Sequence, residues 1–173
     1  MQRIVSILLG GAVAASTLLA YAQDTSKPPA CAAIVAPPSE LAAWTHAVPL
    51  ALDGMAAKAP ALRLNSAVQL HLLPKAQVRY TLLPQKPGGA GSFGGTLTLD
   101  VARSGNYRFA LSDKAWLDVV DKDGAQASIT HGHGPECSGI RKMVDFHLAP
   151  GHYTIQLTAE GSAEITLLAV ALP

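Results

Sequence analysis

From about residue 62 onward, apolar and polar side chains alternate with a period of two. Val68, Leu70 and Leu72 are separated by Gln69 and His71, and Leu97, Leu99 and Val101 by Thr98 and Asp100. Tyr107, Phe109 and Leu111 follow, then Leu117 and Val119. Val144, Phe146 and Leu148 alternate with Asp145 and His147, and Tyr153, Ile155 and Leu157 with Thr154 and Gln156. Ile165, Leu167, Val170 and Leu172 form a last strand whose change of phase predicts a bulge. Strand side chains point alternately to opposite faces, so each strand has one apolar face, and a second sheet must cover it. Turn signals at Ser104-Gly105-Asn106, Asp121-Lys122-Asp123-Gly124, Pro150-Gly151 and Glu160-Gly161-Ser162 separate the strands. Lys122-Asp123-Gly124 has the composition of a tight hairpin turn. The pattern predicts an all-β domain, an antiparallel, jelly-roll-like β-sandwich of about eight strands.

No long 3.6-residue period accompanies this one. Residues 39–44 suit one or two helical turns with Ser39 as N-cap, and Trp44 is placed to cover one end of the sandwich. Pro49 and Pro60 exclude a long helix beyond it. Residues 23–38, polar and then rich in Ala and Pro, predict an extended arm, and residues 39–173 a single domain. The first 22 residues carry Arg3, an apolar run from Ile4 to Leu19 and Ala20-Tyr21-Ala22, the three parts of a cleavable secretory signal. A membrane anchor needs about 20 unbroken apolar residues, so the expectation is no anchor after cleavage and a protein free in the periplasm or outside the cell.

Charge narrows the partners. The chain carries 13 Lys plus Arg against 12 Asp plus Glu. Losing residues 1–22 removes Arg3 and no acidic residue, leaving the two signs equal. Binding nucleic acid requires a surplus of basic charge over many phosphates, so no nucleic-acid partner is expected. The two cysteines, Cys31 and Cys137, read in an exported chain as a disulfide; the alternative is Cys137 as a metal-binding thiolate.

The densest set of reactive side chains runs from His131 to Lys142. His131 and His133 point the same way if the chain stays extended, and Asp145 and His147 share the outward side of the next strand. Were those strands neighbours, His131, His133 and His147 would converge on one ion, with Glu136 or Asp145 nearby. Three imidazoles suit zinc or copper. The competing reading is a Gly-rich loop pinned at Cys137, mobile through its glycines, with solvated His residues. Arg141 and Lys142 either clamp a small anionic ligand or are strand-edge charges that discourage edge pairing. Trp116 reads as a packing residue and Ser138 as a loop serine. Residues 88–95, dense in Gly, lack the Gly-Lys-Ser/Thr ending of a phosphate loop and read as a flexible connection into the strand at Thr96. No catalytic residue is identified: neither a nucleophile elbow nor a recognisable triad pattern is present.

Two resemblances add to this. Residues 105–111 (Gly-Asn-Tyr-Arg-Phe-Ala-Leu), 116–121 (Trp-Leu-Asp-Val-Val-Asp) and 148–155 (Leu-Ala-Pro-Gly-His-Tyr-Thr-Ile) resemble bacterial pre-peptidase C-terminal domains across roughly residues 94–172. That resemblance implies a secreted, non-catalytic jelly-roll module; the acidic cluster with which some members bind calcium is not found here. The whole chain beyond residue 22 is similar to a group of small exported proteobacterial proteins. The resemblance is carried by Glu40-Leu41-Ala42-Ala43-Trp44, Gly94-Gly95, Ala115-Trp116 and the run 131–146. Members often carry the label homogentisate 1,2-dioxygenase. That label implies a small metal-dependent enzyme using iron held by two His and a Glu, a set not placed on particular residues here. The leading expectation is a periplasmic or secreted non-catalytic binding or accessory protein, with the metal-dependent enzyme as the alternative.

Overall fold

The computed structural model describes residues 31–173; the predicted signal and most of the predicted arm lie outside them. In chain order the strands are β1 (Val48–Leu50), β2 (Val68–His71), β3 (Leu73–Pro74), β4 (Phe93–Val101), β5 (Gly105–Leu111) and β6 (Trp116–Asp121). β7 (Gly124–Ala125), β8 (Ser128–Gly132), β9 (Lys142–Leu148), β10 (Gly151–Ala159) and β11 (Glu164–Ala171) complete them. They form two sheets, ordered β1-β2-β11-β5-β9-β8 and β3-β4-β10-β6-β7. All pairings between these strands are antiparallel except β1 with β2. Set aside β1, β3 and β8, and the remaining strands wind as β2-β11-β5-β9 over β4-β10-β6-β7. That is the jelly-roll order, in which chain neighbours fall in opposite sheets except at the β6–β7 hairpin.

The alternation read from the sequence builds the main core. Leu70, Leu97, Leu99, Phe109, Leu111, Val119, Phe146, Leu148, Ile155, Leu157, Ile165 and Leu167 all bury their side chains between the sheets. Phe109 meets Phe146 edge to face at 5.7 Å between ring centroids. Each such side chain contributes about 1.5–3 kcal/mol of transfer free energy. The two-residue turn Lys122-Asp123 joins β6 to β7, with Gly124 at φ 128°, where a side chain would be strained.

Four expectations need correcting. β11 has no bulge: its pairing with β5 runs without a register shift from Leu167 opposite Leu111 to Ala171 opposite Tyr107. Leu168 and Val170 are buried on its other face, under a 3-10 helix spanning Ser39–His46, with Leu41, Trp44, Ala67, Ala110 and Ile140. Trp44 therefore covers the outer face of the six-stranded sheet and not one end of the sandwich. The N-cap of that helix is Pro38, without a side-chain cap bond, and not Ser39. Finally, Gly94 and Gly95 are buried inside β4 and form no flexible connection. A Cβ on Gly94 would sit 1.9 Å from the Tyr80 hydroxyl, which donates to the Leu157 carbonyl at 3.0 Å.

Candidate functional site

The hairpin at Asp121–Gly124 determines where the sandwich opens. β7 pairs only with Val120 and Asp121, and Gln126 N donates to the Val119 carbonyl. The chain then crosses to the other sheet as β8, leaving the β7-side edge of β6 from Trp116 to Asp118 without a strand neighbour. Two adjoining cavities, about 630 and 370 Å³, follow that edge, and Trp116, His131 and Lys142 line both.

Trp116 is held in place by its own strand. Its indole N–H donates to Asp118 Oδ1 at 2.7 Å, and Asp118 Oδ2 accepts from the Gln85 N–H at 3.1 Å. The segment carrying Gln85 is tied across the five-stranded sheet by two bonds between the Gln156 amide and the Leu82 backbone, each 3.0 Å. This anchoring brings Lys86 over the indole, its ammonium 4.5 Å from the ring centroid, with Lys142 at 5.1 Å. Both lie within cation–π range.

Lys142 is the first residue of β9 and shares the phase of Val144 and Phe146, so it points inward. Its ammonium donates to the Ala115 carbonyl at 2.9 Å, spanning the gap between the sheets. Burial pulls its pKa below the usual lysine range; Lys86 adds to the shift and Asp118 opposes it. β9 lies between β5 and β8, so Lys142 is not a strand-edge charge. Arg141, Lys114, His131 and His133 join it around the larger cavity, facing Asp113 and Glu160. A chain with almost balanced charge thus gathers basic groups at one aromatic wall.

The His residues divide between faces. His131 pairs with Val144 on the inward side of the six-stranded sheet. His133 lines the same cavity, its Nδ1 3.2 Å from the Arg141 carbonyl. His147 lies on the outward side, its Nδ1 2.9 Å from Asn106 Oδ1 and its Nε2 3.3 Å from Ser104 Oγ. The expected convergence of His131, His133 and His147 is therefore not formed, because odd and even positions of β9 face opposite ways. Asp145 is committed elsewhere: Arg108, directly opposite on β5, donates to both of its oxygens at 2.8 Å. Glu136 is exposed on the loop. Among the described residues no three His, Cys, Asp or Glu side chains stand as a metal-ligand group. Ser104, His147 and Asn106 make a Ser–His–Asn relay that the sequence does not display as a motif, but all three are exposed and line neither cavity.

The loop between β8 and β9 is braced at several points. Cys137 is bonded to Cys31, with Cα atoms 5.5 Å apart, and Val35 N donates to the Cys137 carbonyl at 2.8 Å. Trp44 Nε1 donates to the Ser138 carbonyl at 3.1 Å. The buried Ser138 hydroxyl donates to the Pro135 carbonyl at 2.7 Å and accepts from the Ile140 N–H. Cys137 and Gly139 take left-handed backbone, φ 58° and 78°. Arg141 and Lys142 emerge directly from this braced turn.

No family model matches the sequence, and no curated protein matches it. Among solved structures, the chain is similar to the pre-peptidase C-terminal domain of a collagenase from Bacillus anthracis. The two are 15% identical with a TM-score of 0.42, over 65% of this chain and 94% of that one.

Proposed function

We propose that this chain is an exported, non-catalytic binding domain that holds a small anionic ligand in the cleft beside Trp116. Export is supported by the signal-like residues 1–22 and by the Cys31–Cys137 disulfide, a bond that persists in oxidising compartments. No helix among the described residues is long and apolar enough to cross a membrane. The observation that carries the ligand reading is the wall itself: a fixed indole with Lys86 and Lys142 on its ring and Arg141 beside them. Guanidinium and ammonium groups at a partly desolvated site favour carboxylates and phosphates.

Fluorescence titration of the Trp44→Phe variant, with Trp116 as sole reporter, against benzoate, phosphate and a dicarboxylate tests this. At least one anion should bind with Kd below about 1 mM, roughly 4 kcal/mol, weaken with added salt, and lose about tenfold in Arg141→Gln. No anion binding in that range, in this variant and by calorimetry with the unaltered protein, refutes the proposal. A second reading, zinc or copper binding, rests on His131 and His133 lining one cavity. Calorimetric titration with each metal, compared with a His131/His133 double alanine variant, tests it separately.

A further inference from the structure

Lys142 stands where both cavities meet, and its surroundings differ from those of an ordinary surface lysine. It occupies an inward position of an interior strand, opposite Leu111 on β5 and in phase with Val144. Its hydrogen bond goes to a neutral acceptor, the Ala115 carbonyl, and no carboxylate among the described residues forms a salt bridge with it. A second ammonium, Lys86, shares the same indole ring. Lys122 shows the contrast: fully exposed and bonded to Asp123 at 2.6 Å, it is held above its usual range by that bond. Partial burial and then the like charge of Lys86 favour the neutral amine while Asp118 opposes them, and a neutral amine facing open space is a nucleophile toward carbonyl carbon.

We infer that Lys142 is a carbonyl-reactive amine, and that the cleft captures an aldehyde or ketone bearing an anionic group as a reversible imine. The anionic part rests on the function proposed above; the amine part does not. In the reaction the nitrogen lone pair forms the bond to the carbonyl carbon while the carbonyl π pair moves to oxygen. Proton transfer from nitrogen to oxygen gives the carbinolamine, and loss of one water leaves the C=N bond. No oxidant or reductant is consumed, and hydrolysis reverses the step.

Pyridoxal 5′-phosphate and pyridoxal, two aldehydes differing by one phosphate, test both parts. The exported protein is treated with each at pH 7.5, the imine is reduced with borohydride, and the modified lysines are mapped by mass spectrometry. Lys142 should be modified at least tenfold faster than Lys122 by both reagents, and the Lys142-to-Lys122 rate ratio should be larger with the phosphorylated one, a ratio that cancels the hemiacetal closure slowing pyridoxal toward every amine. Lys142→Arg should abolish the fast modification, and Lys86→Gln should slow it with pyridoxal, because removing the neighbouring charge favours the protonated amine. Equal Lys142-to-Lys122 ratios with the two aldehydes would keep the amine and overturn the anionic ligand. Modification of Lys142 in the unaltered protein no faster than of Lys122 would overturn the amine itself.

Discussion

The Cys31–Cys137 bridge should stabilise the domain almost entirely through its unfolded state. Residues 31–36 are exposed, and Val35 N to the Cys137 carbonyl is the backbone hydrogen bond linking the arm to the loop. Native contacts of residues 31–36 are therefore few. The bridge closes a long loop, its ends 106 residues apart. Removing that constraint frees about 16 cal/mol/K of chain entropy, or about 4 to 5 kcal/mol at 25 °C. For a domain of this length each kcal/mol moves Tm by about 2–4 °C, so the double variant Cys31→Ser/Cys137→Ser should melt roughly 8 to 20 °C lower. Calorimetry gives the Tm, and urea unfolding should show a larger m-value, because the uncrosslinked unfolded chain exposes more surface. A chain beginning at Pro37 should lose no more than about 1 kcal/mol beyond the double variant, the worth of one backbone hydrogen bond. A Tm drop below about 3 °C, or a truncation much less stable than the double variant, would refute the unfolded-state account.

Other consequences are equally measurable. Arg108→Ala leaves Asp145, 6% exposed at its side chain, without its bidentate partner and should cost about 3–5 kcal/mol in urea unfolding, with Asp145→Asn costing less. Phe109→Ala opens a cavity against Phe146 and should cost about 3–5 kcal/mol, seen as a lower midpoint at unchanged m-value. Gly94→Ala drives the Tyr80 hydroxyl off the Leu157 carbonyl and should cost about 1–3 kcal/mol; combining it with Tyr80→Phe should recover part of that loss. Lys142 carries a folded pKa below its unfolded value, so its contribution is most favourable above the ordinary lysine range near 10.4. That contribution falls as pH drops through the folded pKa. Lys142→Met should accordingly compare better with the unaltered protein at pH 7 than at pH 11; the reverse ordering in denaturation experiments would contradict the burial argument.

Legibility in the sequence followed burial. β4, β5, β9 and β10 each have one face in the main core, so their alternation stands out. β8 is exposed along its whole length, and burial imposes no pattern on it; β1, β3 and β7 are two or three residues long, below the span of any period. In β11 both faces are buried, which turns alternation into a continuous apolar run and imitates a bulge. Asp145 and His147 were readable as outward-facing neighbours, and the same alternation places Lys142 inward, in phase with Val144, Phe146 and Leu148. What the sequence withholds is the long-range part of the cleft. Trp116 reads as packing until Asp118, Gln85 and Lys86 are seen around it. The separation of His131 from His147 depends on a strand register that no local pattern encodes.

The position of β11 also has a consequence in time. The last strand of the chain lies between β2 and β5, so until it arrives the earliest strands have no sheet to join. During synthesis β1 and β2 must wait for β11 before the six-stranded layer can close. A chain lacking β11 should therefore leave β1 and β2 detached from the rest of the six-stranded sheet.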